Sequence, residues 1–145
     1  MIRIELLTLA ALLLAVGCGA DPDPNQRVVF PVKGTVMFRG EPIPDATVRL
    51  HPVKKSNDGK PLYIPRGFVD ESGTFQVSTY SQGDGAPAGD YIVSVSWQGP
   101  LSGLSEDEQD RLKELLPREY TSPRSSGLNV TIQEGDNELP PITIQ

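Results

Sequence analysis

One cysteine, one histidine and one tryptophan are present in a chain of 145 residues, and each scarcity closes off a class of chemistry. A zinc centre needs three or four thiolate, imidazole or carboxylate ligands, and one histidine with one cysteine cannot supply them. Nucleophilic hydrolysis needs a base beside the nucleophile, and His51, the only imidazole, stands directly before Pro52, where a strand end is expected. A single thiol also rules out an intrachain disulfide. No apolar run approaches the about 20 residues of a membrane-spanning helix. Positive charge is in short supply too: the net charge is −6, so nucleic acid and anionic lipid would both be approached against repulsion and are not expected as partners. No cofactor and no metal are expected, and the chain reads as non-enzymatic.

What the chain does have begins at its one cysteine. An apolar run over residues 6–16 is followed by Gly17-Cys18-Gly19, with Ala15 and Gly17 placing small side chains before Cys18. This pattern resembles the signal peptide and lipobox of bacterial lipoproteins. It implies a signal over residues 1–17, cleavage that leaves Cys18 first, and lipid such as palmitate on its thiol. The expected location is the cell envelope, anchored in a membrane through Cys18. Gly19, where aspartate would signal retention in the inner membrane of some bacteria, leans towards the outer membrane. Residues 18–27 then alternate proline with acidic residues and read as a flexible tether, extending on the order of 3 Å per residue. Because Arg3 and Glu5 leave together with the signal, the charge of −6 survives processing.

From residue 28 to 145 the texture is that of one all-β domain, with short alternating runs separated by Gly, Pro, Asn and Asp. Strands are expected over 32–38, 46–51, 66–70, 74–80, 90–97, 128–133 and 139–144. Alternation puts Val32, Gly34, Val36 and Phe38 on one face, then Ala46, Val48 and Leu50, then Phe75 and Val77, then Tyr91, Val93, Val95 and Trp97. About seven such strands imply an antiparallel β-sandwich. One helical insertion is expected over about 105–116: Ser105 and Glu108 form a capping box, Leu112, Leu115 and Leu116 give a stripe, and Pro117 ends it.

Val32-x-Gly34-x-Val36, Gly40-x-Pro42-x-x-x-Ala46-x-Val48, Asp70-x-x-Gly73-x-Phe75-x-Val77 and Pro87-Ala88-Gly89-x-Tyr91-x-Val93 together resemble the carboxypeptidase regulatory-like domain. That resemblance implies a transthyretin-like sandwich that supports other activities and has no catalytic residues of its own. The segment between Trp97 and Tyr120 departs from the minimal domain. Hydrolases of the transthyretin-like group rely on several histidines, which this chain lacks.

Candidate ligand positions are accordingly few. Asp70, Asp84 and Asp90 stand near turns but match no EF-hand spacing. Asn129-Val130-Thr131 has the spacing of a glycosylation acceptor and reads as an ordinary strand. Tyr63 and Tyr80 lie near loops, outside the alternating core pattern, and are the candidate ligand contacts. The sequence therefore points to a lipid-anchored envelope protein that makes protein contacts or supports envelope structure, with glycan binding as the alternative.

Overall fold

Alternating β-branched residues organise the chain, and the computed structural model, which describes residues 23–54 and 58–145, resolves nine strands and one helical turn among them. Cys18, the expected signal over 1–17, the tether up to Pro22 and the loop tip 55–57 lie outside the described residues. The strands are β1 (Val32–Phe38), β2 (Glu41–Pro42), β3 (Thr47–Pro52), β4 (Arg66–Val69), β5 (Thr74–Ser78), β6 (Gly89–Ser96), β7 (Leu128–Ile132), β8 (Asn137–Glu138) and β9 (Ile142–Ile144). The helix α1 spans Glu106–Gln109. The all-β expectation holds.

Hydrogen-bonded order runs β2-β1-β5-β4-β3-β6-β7, with every neighbouring pair antiparallel. β1 belongs to two ladders at once. Its first half lies between β5 and β8, its second half between β2 and β9, and both β8 and β9 run parallel to it. This shared strand is where the sheet folds over, so that Ile142 and Ile144 close onto the same interior as the longer strands.

The pleat sends every second side chain inward. Val48 and Leu50 of β3, Phe75 and Val77 of β5, and Tyr91, Val93 and Val95 of β6 are all buried, with Val32 and Val36 of β1 facing them. Phe75 fits because its neighbours lack side chains: Gly34 lies directly opposite on β1 and Gly67 borders it on β4. A Cβ on Gly34 would stand 2.7 Å from the Phe75 ring, and one on Gly67 2.8 Å from the ring and 2.9 Å from the Gln76 carbonyl.

The structure places the helix differently from the periodicity. α1 stops after one turn, and Leu112, Leu115 and Leu116 lie beyond it. The Glu108 carboxylate does reach back to Ser105, accepting its backbone N–H at 2.9 Å and its hydroxyl at 2.7 Å. After Asp110, however, the bonds tighten to the i−3 pattern at Arg111 and Leu112. The segment then attaches to the end of β6, where Leu115 N–H donates to the Trp97 carbonyl at 2.8 Å and Val95 N–H donates to the Tyr120 carbonyl at 2.9 Å. Glu114 accepts from the N–H groups of Trp97 and Leu116. An extended clip along a strand replaces two further helical turns, because backbone pairing with β6 satisfies the same groups and buries Leu116.

Candidate binding pocket at the tether end

Arg27 marks the place where the chain arrives at the domain, and its side chain is tied to a loop more than thirty positions away. Its Nη2 lies 2.7 Å from Asp58 Oδ1 and its Nε donates to Asp58 Oδ2 at 3.1 Å, a two-pronged pairing. Nη1 donates to the Pro61 carbonyl at 3.1 Å, while the Arg27 backbone N–H donates to the Tyr80 hydroxyl at 3.0 Å. Lys60 Nζ completes the clasp by donating to the Gln26 carbonyl at 2.9 Å. The hydrogen bond it donates to Asp58 raises the Arg27 pKa further, so the guanidinium stays charged. Residue 27, expected as the last residue of a flexible tether, is thus a fixed point of the fold.

Beside the clasp lies a pocket of about 290 Å³, lined by Tyr63, Tyr80, Tyr91, Leu62, Pro52 and Lys54 among others. The structure brings the two candidate tyrosines together: the rings of Tyr63 and Tyr80 meet edge to face at 77°, centroids 5.2 Å apart. Tyr80 comes from the end of β5, held by Asp84, whose carboxylate accepts the N–H groups of Thr79, Tyr80 and Ser81 at 2.7–3.0 Å. Tyr63 belongs to the extended run before β4 and is 46% exposed. Behind them Tyr91 is buried, its hydroxyl donating to the Pro87 carbonyl at 2.8 Å, and burial pushes its pKa up to about 12.

The remaining candidates are occupied with the scaffold. Asp70 Oδ1 accepts the Ser72 hydroxyl at 2.6 Å and the N–H groups of Ser72 and Thr74 at 2.9 Å, which hold its pKa below the usual carboxylate value. Asp90 accepts the Thr131 hydroxyl at 2.8 Å. His51 Nε2 lies 2.8 Å from the buried Ser94 hydroxyl, and burial, with the nearby Arg49 charge, lowers its pKa. Trp97 Nε1 donates to the Pro44 carbonyl at 2.9 Å, and its ring packs edge-on against Phe38. Among the described residues no group of three His, Cys, Asp or Glu side chains converges on a metal position, and no helix is long and apolar enough to cross a membrane.

Sequence reasoning did not find the clasp. Arg27 follows a proline-rich stretch and its partner stands 31 positions away, so no local pattern marks the pair.

No protein-family model matches the chain, and no curated protein does. Among solved structures it is similar to a DUF3823 family protein from Parabacteroides merdae, with 12% identity and a TM-score of 0.40. The superposition covers 83% of this chain and 47% of that one, so it spans about half the length of the neighbour. A likeness of this degree carries no function across.

Proposed function

We propose that the chain is a lipid-anchored, non-catalytic envelope protein, held through Cys18 and presenting a β-domain of the carboxypeptidase regulatory-like kind for contact with another envelope protein. The clasp supports this reading most directly. Gln26 and Arg27 bind the arriving chain to one end of the sheet, which fixes where on the domain a tether from Cys18 would join it. Asp70, Asp84, Asp90 and His51 are meanwhile engaged in holding turns and strands, the arrangement of a scaffold. The contact face in this proposal is the outer surface of β3 and β4, where Phe68 is 63% exposed and the Arg66 guanidinium lies 5.9 Å from its ring.

Detergent-phase partition tests the anchor. The native protein is expected in the detergent phase and the Cys18→Ala variant in the aqueous phase; native protein in the aqueous phase overturns the reading. A photo-crosslinking residue at Phe68 in intact cells is then expected to capture one discrete partner.

Glycan binding is a second reading, favoured by the Tyr63–Tyr80 pair beside the pocket. It requires that Tyr63→Ala abolish retention on a glycan array. Tyr80 is the poorer test because its hydroxyl also holds Arg27.

A further inference from the structure

Seven large hydrophobic side chains are exposed among the described residues, and five of them gather at the tether end. Val28 is 74% exposed, Val53 52%, Leu62 46%, Tyr63 46% and Ile64 51%. Phe68 and Leu115 are the two that lie elsewhere. Single exposed apolar residues are ordinary on a protein surface, whereas several gathered at one end of a domain mark a contact.

This group is held in place. Val28 follows the clasped Arg27, and Leu62 follows Pro61, whose carbonyl accepts the Arg27 guanidinium. Val53 is fixed by its N–H donating to the Asp90 carbonyl at 2.9 Å, and Ile64 by the neighbouring Pro65 carbonyl, which accepts Leu50 N–H at 2.8 Å. The rim is therefore preorganised, and little ordering entropy opposes its burial.

We infer that this rim rests on the bilayer, with Val28, Val53, Leu62, Tyr63 and Ile64 seated at the lipid interface. The occupant follows from chain length, and the inference rests on the lipid-anchor reading of Cys18. Arg27 is nine residue steps from Cys18, so even a fully extended link holds Arg27 within about 30 Å of the anchored thiol, and a coiled one averages nearer 15 Å. Val28 is the next residue, which makes the rim the part of the domain nearest the membrane. The opposite end lies a strand length beyond, roughly 20 Å. There stand the hairpin around Glu71 and the acidic α1 with Glu106, Asp107 and Glu108. Charges of both signs border the rim, Lys54 and Lys60 together with Asp58 and Asp90, so the contact rests on its apolar side chains.

A bilayer suits the rim chemically. Tyrosine with aliphatic neighbours is the composition of an interfacial contact, the ring lying at headgroup depth and the aliphatic groups reaching the acyl boundary. Burial of several apolar side chains adds to the hold that lipid on Cys18 supplies.

Depth-dependent quenching tests the inference on the full acylated chain in zwitterionic phosphatidylcholine vesicles, where the net charge of −6 meets no repelling surface. An environment-sensitive fluorophore is placed at Ile64→Cys in one sample and at Glu71→Cys in another; acylated Cys18 does not react with the label. Both positions are exposed, so folding is preserved. Nitroxide-bearing lipids are expected to quench the Ile64 probe several-fold more than the Glu71 probe, with a blue shift at Ile64 alone. Adding Leu62→Asp is expected to abolish the difference. Equal, weak quenching at both positions in protein that floats with the vesicles overturns the rim while leaving the anchor intact, and assigns the patch to a protein partner. Failure of the native chain to float overturns the anchor and the rim with it.

Discussion

Gly34 and Gly67 show how much of the core depends on atoms that are missing. Phe75 is the one phenylalanine that is fully buried, and its ring occupies the space that two side chains would take on the flanking strands. Alternation alone identified Phe75 as inward, but it could not show that the glycines beside it make room, because Gly67 contacts it across a strand pair. Gly67→Ala is expected to destabilise the fold by about 1–3 kcal/mol through overpacking, since the Gln76 backbone cannot move aside as a flexible side chain would. A shift in the urea midpoint at constant m-value measures it, and an unchanged midpoint would refute the fit. At the same scale His51 makes stability depend on pH. Burial lowers its folded pKa below the ordinary 6.5, so the unfolded chain binds the proton more readily. The contribution of the neutral ring is therefore fully present above the unfolded value and is lost as pH falls from there through the folded one. Between about pH 7.5 and about pH 5 the urea midpoint is expected to drop, and His51→Gln is expected to flatten that part of the profile. Asp70 acts separately, at lower pH: its folded pKa is depressed by the Ser72 hydroxyl and neighbouring N–H groups, and its contribution is lost only as pH falls through that depressed value.

The segment after Trp97 and the clasp at Arg27 show what periodicity reads well and what it misses in single elements. Ser105 and Glu108 were legible as a helix start because capping is a local contact, and the Glu108 carboxylate does fold back on Ser105. Helix length was not legible. One turn is costly to nucleate and weak to propagate, whereas pairing with the end of β6 gives the same backbone groups partners. A helical stripe would make Leu115 and Leu116 comparable; the extended clip separates them, leaving Leu115 51% exposed and Leu116 4% exposed. Leu116→Ala is expected to cost about 2–5 kcal/mol, while Leu115→Ala stays within about 0.5 kcal/mol. Equal effects in thermal denaturation would restore the helical stripe. The clasp is likewise invisible to local pattern, because charge pairing across 31 positions has no period. Arg27→Ala is expected to change global stability by no more than about 1 kcal/mol, as the pair is only partly buried. It is nevertheless expected to speed amide exchange and proteolysis over residues 23–31, and unchanged exchange there would show that the clasp holds nothing.

Across the whole molecule, the strands were largely legible and their assembly was not. Runs with alternating burial sat close to where the pattern put them, because the pleat fixes side-chain direction locally. Which strand lies beside which depends on contacts such as Asn137 reaching Pro31 across 106 positions, and nothing in a short window encodes that. The parallel pairing of β1 with β8 and β9 is the clearest case. It makes β1 the hinge between two ladders, and it hangs closure of the core on the last strands. Leu139, Ile142 and Ile144 are each at most 6% exposed. At about 1.5–3 kcal/mol for each buried side chain, their loss removes an amount comparable with the about 5–15 kcal/mol that holds a domain of this size folded. A chain ending at Glu138 is therefore expected to lose its cooperative thermal transition and to bind a hydrophobic dye, because Val36 and its neighbours open to water. Adding a peptide of residues 139–145 is expected to restore the transition by strand addition alongside β1. A cooperative transition in the shortened chain within a few degrees of the native one would show instead that the antiparallel sheet β1-β5-β4-β3-β6-β7 is self-sufficient, and that β9 only covers it.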